Sequence, residues 1–309
     1  MIMAMLPVFG AAAVLYAQTP ADGDPQDIGY GLRISVEMVR VSVTAQDRFG
    51  RYVTGLGESD FEVFEEGESR RIVYFSSDTS APKSIGMLLD VSGSMRILDK
   101  ISRAKGALEL CINYLKPRDR ASLIFFADGA VEVAAPFGAS PAEMIARLRG
   151  VEAYGKTAIH DAVAAMPGLV GVGGAGMRKA VILVTDGYDN ASERSLEQAI
   201  RISRIVNLPI YTIGMDPVLS SMTVKDSDQI LNRVILQRIA EETGGRCFLV
   251  RDDAEVRRAC AEILEELGSQ YVLGFMAGAR DEEERFRTIQ VKVKRRGVRI
   301  RTRKGYIPQ

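Results

Sequence analysis

One carboxylate and two hydroxyls stand at alternate positions in Asp90-Val91-Ser92-Gly93-Ser94, directly after the apolar run Ile85 to Leu89. A short unbroken apolar run bounded by turn residues reads as a fully buried strand, and a helical pattern resumes at about Met95. In a doubly wound α/β fold, ligands bind outside the carboxyl ends of the strands. Oxygen side chains gathered there, with no Cys or His among them, suit a hard cation such as Mg2+. The same residue types also build an ordinary turn and helix cap, so this stretch alone leaves both readings open. Two further stretches share the design. In Tyr154-Gly155-Lys156-Thr157 a hydroxyl follows a Gly-containing loop and precedes an apolar helix, and Val181 to Val184 runs into Thr185-Asp186-Gly187. Three loops at one edge of a parallel sheet then offer five oxygen ligands: Asp90, Ser92, Ser94, Thr157 and Asp186.

The elements that must position these residues follow from periodicity. From Ser84 onward, strands and helices alternate, the signature of a parallel sheet. Ile97, Ile101, Ala104, Leu108, Cys111, Ile112 and Leu115 mark one helical face, stopped by Pro117. Ala121 to Phe126 and Ala180 to Val184 read as strands, and Ser140-Pro141-Ala142-Glu143 as a capping box opening a helix. Helix Leu196 to Val206, strand Pro209 to Ile213, helix Ile230 to Glu242, strand Cys247 to Val250 and helix Ala254 to Leu267 complete the series, with a long polar loop from Asp216 to Asp228.

Both flanks carry short-strand, antiparallel grammar. Leu32, Ile34, Val36 and Met38 alternate, and the phase slips to Val39, Val41, Val43 and Ala45, which suggests a bulge. Asp47-Arg48-Phe49-Gly50 is a hairpin turn, and Phe61 to Phe64 and Ile72 to Phe75 flank a turn at Glu66-Gly67. Tyr271 to Phe275, Arg287 to Lys294 and Val298 to Arg303 alternate again, with a turn at Arg296-Gly297. The fold class is therefore α/β, a doubly wound mostly parallel sheet with helices on both faces. A small antiparallel β-sandwich is built from residues 28–80 and 270–309, with the α/β domain, 84–268, inserted between them.

Composition bounds the function classes. The chain has 309 residues, 47% apolar and 26% charged, with Lys+Arg and Asp+Glu balanced at 40 each. No global field points to nucleic acid or to an anionic membrane. One His and three dispersed Cys (Cys111, Cys247, Cys260) give no zinc-type spacing, and the thiols read as buried core. Residues 1–27 read as signal peptide and linker: Met1 to Ala17 is apolar and uncharged, with a cut after Ala17 and a polar stretch beyond. The missing basic residue ahead of the apolar core keeps an uncleaved anchor as the alternative. Export, periplasmic or secreted, is the expectation.

The Asp-x-Ser-x-Ser at 90–94, the Thr at 157 and the Asp at 186 resemble the metal-ion-dependent adhesion site of the von Willebrand factor type A domain, over about residues 84–268. The wider chain looks like a related group of exported bacterial proteins first described in acidobacteria. Its β-type flanks are matched here by Asp60 to Gly67 and Tyr271 to Phe275. The resemblance implies that Ser92, Ser94 and Thr157 reach a Mg2+ (or Mn2+ or Ca2+) directly or through water, while Asp90 and Asp186 often act through water. It implies a non-enzymatic binding module in which an Asp or Glu of a protein partner takes an open coordination position, with no nucleic acid and no small-molecule substrate. Asp161 supports the loop or lies on the helix surface, and His160 packs. Lys156 stands where the family often has a second Gly, which puts metal affinity in question.

Two competing functions remain from the residues themselves. A Mg2+-dependent hydrolase would use Asp90 as nucleophile or the ion as Lewis acid, yet the chain has no Gly-x-Ser-x-Gly elbow and no phosphate-binding Gly-Lys-Ser/Thr loop. A β-flank surface for an anionic partner would use Lys292, Lys294, Arg299, Arg301 and Arg303, which alternate with apolar residues and so share one face of a hairpin.

Overall fold

Alternation sets the first strands of the computed structural model, which describes residues 38–170, 176–205, 207–215, 226–278 and 285–308. Strand β1 (Met38–Asp47) buries Val39, Val41, Val43 and Ala45. The Asp47 turn closes through Gly50 N–H to Asp47 O at 3.0 Å, and Asp47 Oδ1 accepts from the Phe49 and Arg51 N–H groups. Strands β2 (Phe61–Glu65) and β3 (Glu68–Arg70) pair around Glu66-Gly67, both with positive φ, as a tight hairpin turn requires. Strand β4 (Ile72–Ser76), expected opposite β2 across that turn, pairs in another sheet, because the short β3 already fills the position beside β2. The signal peptide and linker, Leu32 to Val36, most of the loop from Asp216 and the acidic run Asp281 to Glu284 lie outside the described residues.

The α/β part then runs β5 (Lys83–Asp90), α1 (Lys100–Asn113), β6 (Arg120–Ala127), β7 (Ala130–Ala135), α2 (Pro141–Gly150) and α3 (Ile159–Val170). It continues with β8 (Arg178–Thr185), α4 (Leu196–Ile205), β9 (Ile210–Met215), α5 (Asp226–Thr243), β10 (Cys247–Val250) and α6 (Asp253–Ser269). These strands form one six-stranded sheet in the order β10-β9-β8-β5-β6-β7, parallel except for β7 at its edge. Side chains alternate across β5: Ile85, Met87 and Leu89 face the core under α1, α2 and α6, while Leu88 faces the core under α3, α4 and α5. Gly86 lets α3 approach, since a Cβ there would collide with Val170. The chain leaves β5 toward α1 on one face and leaves β8 toward α4 on the other. The crevice of a topological switch therefore opens between these neighbouring strands at their carboxyl ends.

One expectation changes here, and one strand is added. The helix after Asp90 begins only at Lys100; residues Gly93–Asp99 form a 3-10 segment broken at Ile97 and Leu98, so Ile97 is 59% exposed and not on the helical face. Strand β7 follows a two-residue Asp128-Gly129 turn with positive φ at both positions.

Strands β11 (Tyr271–Met276), β12 (Arg287–Val293), β13 (Val298–Arg301) and β14 (Gly305–Tyr306) return to the flank, giving antiparallel sheets β13-β1-β11-β4 and β14-β12-β2-β3 around a shared apolar core. The β1–β11 pairing runs from Met38 to Val43 without a shift. The expected single basic face does not form, because β12 and β13 belong to different sheets. Lys292 lies over the Phe64 ring, Lys294 pairs with Glu62, Arg301 pairs with Glu266, and buried Arg303 donates to the Arg204 and Arg40 carbonyls.

Two buried carboxylates fasten this flank. Glu266 of α6 accepts from Thr44 of β1 at 3.2 Å and Tyr211 of β9 at 2.6 Å, beside Arg301 of β13. Glu65 accepts from Arg70 Nε at 2.7 Å, Gly278 N at 2.8 Å, Arg287 Nη1 at 3.3 Å and the Tyr306 hydroxyl. Burial raises the Glu65 carboxyl, but the bonds from Tyr306, Gly278 and Arg70 outweigh it and hold the group below the usual range. Its contribution is therefore present above the unfolded value of about 4.3 and is lost as pH falls below it. Glu65→Gln removes the buried negative charge that Arg287 and Arg70 both meet and is expected to cost about 3 kcal/mol at neutral pH. Urea midpoints of the variant and the native chain should converge as pH drops toward 3 (about one unit below the carboxyl reference); equal midpoints at pH 7 would refute this.

Candidate metal centre

Asp90 ends β5 and is wholly buried. Its Oδ1 accepts from Ser92 N at 2.8 Å, and its Oδ2 accepts from the Thr185 hydroxyl at 2.6 Å. Thr185 Oγ1 in turn accepts from Gly187 N at 3.1 Å, which locks the loop after β8 to the end of β5. Gly187 holds φ at +82° and a Cβ there would press on Asn232 of α5 at 3.0 Å, so only glycine fits the turn without displacement. The Ser92 and Ser94 hydroxyl oxygens lie 3.1 Å apart. Asp186 Oδ1 accepts from Tyr188 N at 3.3 Å, and its Oδ2 pairs with Lys100 Nζ at 2.6 Å, the two side chains being only 6% and 9% exposed.

Thr157, also buried, reaches this edge through its loop. Gly93 N donates to Gly155 O at 2.9 Å and Tyr154 N to Val91 O at 2.6 Å, laying residues 154–157 against the Asp90 loop. From the other side Asn190 Oδ1 accepts from Thr157 N at 2.9 Å, while the Asn190 and Ala191 N–H groups donate to Thr157 O. Gly155, at φ +69°, leaves room for the Asp128 carboxylate, which accepts from Lys156 N at 2.6 Å. The Lys156 side chain itself is exposed. Asp161 fastens the loop after β8, accepting from Glu193 N at 2.8 Å and from Arg194 Nη1 at 2.9 Å, and the His160 N–H meets Ser192 Oγ at 3.0 Å. Both residues thus brace the stretch that carries Asn190.

The three loops of the predicted ligands are therefore brought together at one crevice. Electrostatics there is anionic. Burial, and then the charge of Asp186, push the Asp90 carboxyl up to about 7, against the hydrogen bonds from Ser92 and Thr185. Two carboxylates and three hydroxyls form an all-oxygen set that suits a hard divalent cation, and such a cation would favour the ionised form of the buried Asp90. Among the described residues there is no cluster of three or more His, Cys, Asp or Glu that could hold a metal, and this crevice has only two carboxylates. Thr185, Asn190, Asp128 and Lys100 are the contributors that sequence reading missed. Lys100 carried a signal: it continues the apolar stripe of Ala104, Leu108 and Cys111, where a lysine needs a carboxylate.

Comparison with known proteins agrees with this geometry. Residues 85–188 match the von Willebrand factor type A domain. Human inter-alpha-trypsin inhibitor heavy chain H4 is 25% identical over 213 residues, 63% of this chain and 21% of that protein, so the chain spans about a fifth of the relative's length. Among solved structures, a von Willebrand factor type A protein from Catenulispora acidiphila superposes with a TM-score of 0.52 at 15% identity, covering 81% of this chain and 73% of its own. Proximal thread matrix protein 1 from the mussel byssus, with a zinc-occupied MIDAS motif, gives 0.50 at 17% identity, covering 67% and 50%. These structural likenesses establish the fold.

The raised Asp90 has a measurable sign. Between the unfolded carboxyl value of about 3.9 and the folded value of about 7, the folded chain binds the extra proton, so stability falls as pH rises. In chelator, the native chain should lose melting temperature relative to Asp90→Asn across that window. Parallel curves for the two would refute the assignment.

Proposed function

We propose that this chain, which carries a von Willebrand factor type A domain, is a non-enzymatic protein-binding module that uses Mg2+ to capture a carboxylate of a partner protein. The reading rests on one observation above all: the charge of Asp90 and Asp186 is shut into a crevice lined by hydroxyl-bearing loops. Ser92, Ser94 and Thr157 would supply neutral oxygens, and Asp90 and Asp186 the balancing charge. When bound, the cation supplies a positive centre with a coordination position free for an Asp or Glu side chain. Thr185 and the Ser92 N–H orient Asp90 so that the donor set is held before any ion arrives.

A protein, rather than a small molecule, suits the surroundings. Exposed Ile97 and Leu98 lie on the loop after Ser94, Tyr154 on the loop before Thr157, and Tyr188 just after Asp186. Exposed large apolar side chains on the loops that carry a charged centre match the composition of an interface, in which aromatic residues are enriched. The apolar, uncharged Met1 to Ala17 supports export of the chain to the periplasm or the exterior, where such partners are met.

Calorimetric titration of the full chain with Mg2+ tests the reading, beside Asp90→Ala and Asp186→Ala. The expected result is saturable binding to the native chain in the presence of acetate, and none to either variant. A folded native chain that takes up no Mg2+, Mn2+ or Ca2+ under those conditions would overturn it.

A further inference from the structure

Lys100 is a residue that nothing in the proposed function calls for. It occupies the first position of α1, where the helix dipole disfavours a cation. Leu98 and Asp99 just before it both adopt left-handed backbone, at φ 54°, which Asp tolerates but which is unfavourable for Leu98. The side chain is nearly buried on the apolar stripe of the helix, and its ammonium rests 2.6 Å from Asp186 Oδ2. Burying a lysine, starting a helix with it and straining the turn ahead of it are all unfavourable. The compensation is this one ion pair, made with a proposed metal ligand.

We propose that Lys100 is a built-in competing cation: it keeps the crevice's hold on a free divalent ion weak, and thereby makes ion and partner carboxylate bind cooperatively. The inference rests on the metal-binding reading above. Charge carries it. With both carboxylates ionised, as a bound divalent ion would favour, Asp90, Asp186 and Lys100 together carry one net negative charge. A divalent ion there leaves one net positive charge, which a partner carboxylate neutralises. With Lys100 replaced by a neutral side chain, the ion alone gives neutrality and the carboxylate then adds an unbalanced charge. Lys100 therefore shifts affinity away from the free ion and toward the ion taken with a carboxylate, and each ligand must raise the affinity of the other by the same factor. An opposite charge at this distance changes the binding of a proton by about one to three decades, and the effect on a cation is of that order.

The test is calorimetric Mg2+ titration of the full chain, with acetate as the carboxylate probe and chloride at equal ionic strength as the control. Lys100→Met should bind Mg2+ in chloride at least about tenfold more tightly than the native chain, and acetate should add little. In the native chain acetate should tighten Mg2+ binding. Lys100→Arg keeps the charge and should retain the native weak, acetate-dependent behaviour. A second readout is melting temperature: Lys100→Met should melt below the native chain in chelator and gain more from added Mg2+. Lys100→Gln reads the same quantities if the methionine variant fails to fold. Mg2+ affinity and acetate coupling left unchanged in the folded neutral variants would overturn the role of Lys100 alone. Absence of Mg2+ binding in native chain and variants, with and without acetate, would overturn the metal reading and this inference with it. Binding by Lys100→Met where the native chain shows none in chloride supports both.

Discussion

A wholly buried carboxylate, Asp90, and a nearly buried one, Asp186, stand where β5 and β8 end, and much of the architecture answers that constraint. Burial first, and then repulsion from Asp186, disfavour the charged form of Asp90 and raise its carboxyl. Each local feature lowers the cost: a backbone N–H and a hydroxyl on Asp90, an ammonium and a backbone N–H on Asp186. None of these donors balances the second negative charge. The crevice is thus held in a state that favours a cation, on strands whose apolar faces on both sides leave them little freedom to relax.

The same logic of buried charge organises the flank. Glu266 sits on a helix of the α/β part, yet its partners come from β1, β9 and β13, so a single carboxylate ties three strands of two sheets to α6. Glu65 does the equivalent for the β2 sheet, drawing in Arg70, Arg287, Gly278 and Tyr306. Four donors on one carboxylate hold its charged form even though it is buried. Of the arginines read from sequence as a basic face, Arg301 is in the fold a counter-charge of Glu266, and Arg303 donates to the Arg204 and Arg40 carbonyls.

Local signals made most of this readable from the residues. Unbroken apolar runs gave β5 and β8, and the Asp-x-Ser-x-Ser spacing placed three oxygens beyond β5. What escaped depended on distant pairing. Nothing near Ile72 to Phe75 announces that this strand leaves its neighbour for β11, because sheet membership is decided by which edge is already filled. Strand β7 carried a local signal in Asp128-Gly129, a strong hairpin dipeptide, but as a short edge strand that buries only Ala135 it has no clear apolar run. Lys156 drew attention as the cation beside the site, being adjacent to Thr157; the cation that meets Asp186 is Lys100, 86 residues away in sequence. Contacts across a crevice are set by topology, and sequence distance is a poor guide to them.

On the proposed reading, the ligand set also explains why the site would bind a partner rather than turn over a substrate. Sites that keep an ion unaided surround it with several carboxylates, and their affinity follows ligand charge and rigidity. Here three of the five oxygens are neutral hydroxyls, and one of the two carboxylates is already engaged by an ammonium. Such a centre gains most from one further negative ligand delivered from outside. Beside the ligand loops in sequence stand the exposed side chains Ile97, Leu98, Tyr154 and Tyr188. Those side chains can shield an incoming carboxylate from water and strengthen its attraction to the ion. A charged contact supplies selectivity for an acidic residue, and the apolar side chains restrict it to acids presented on a complementary surface.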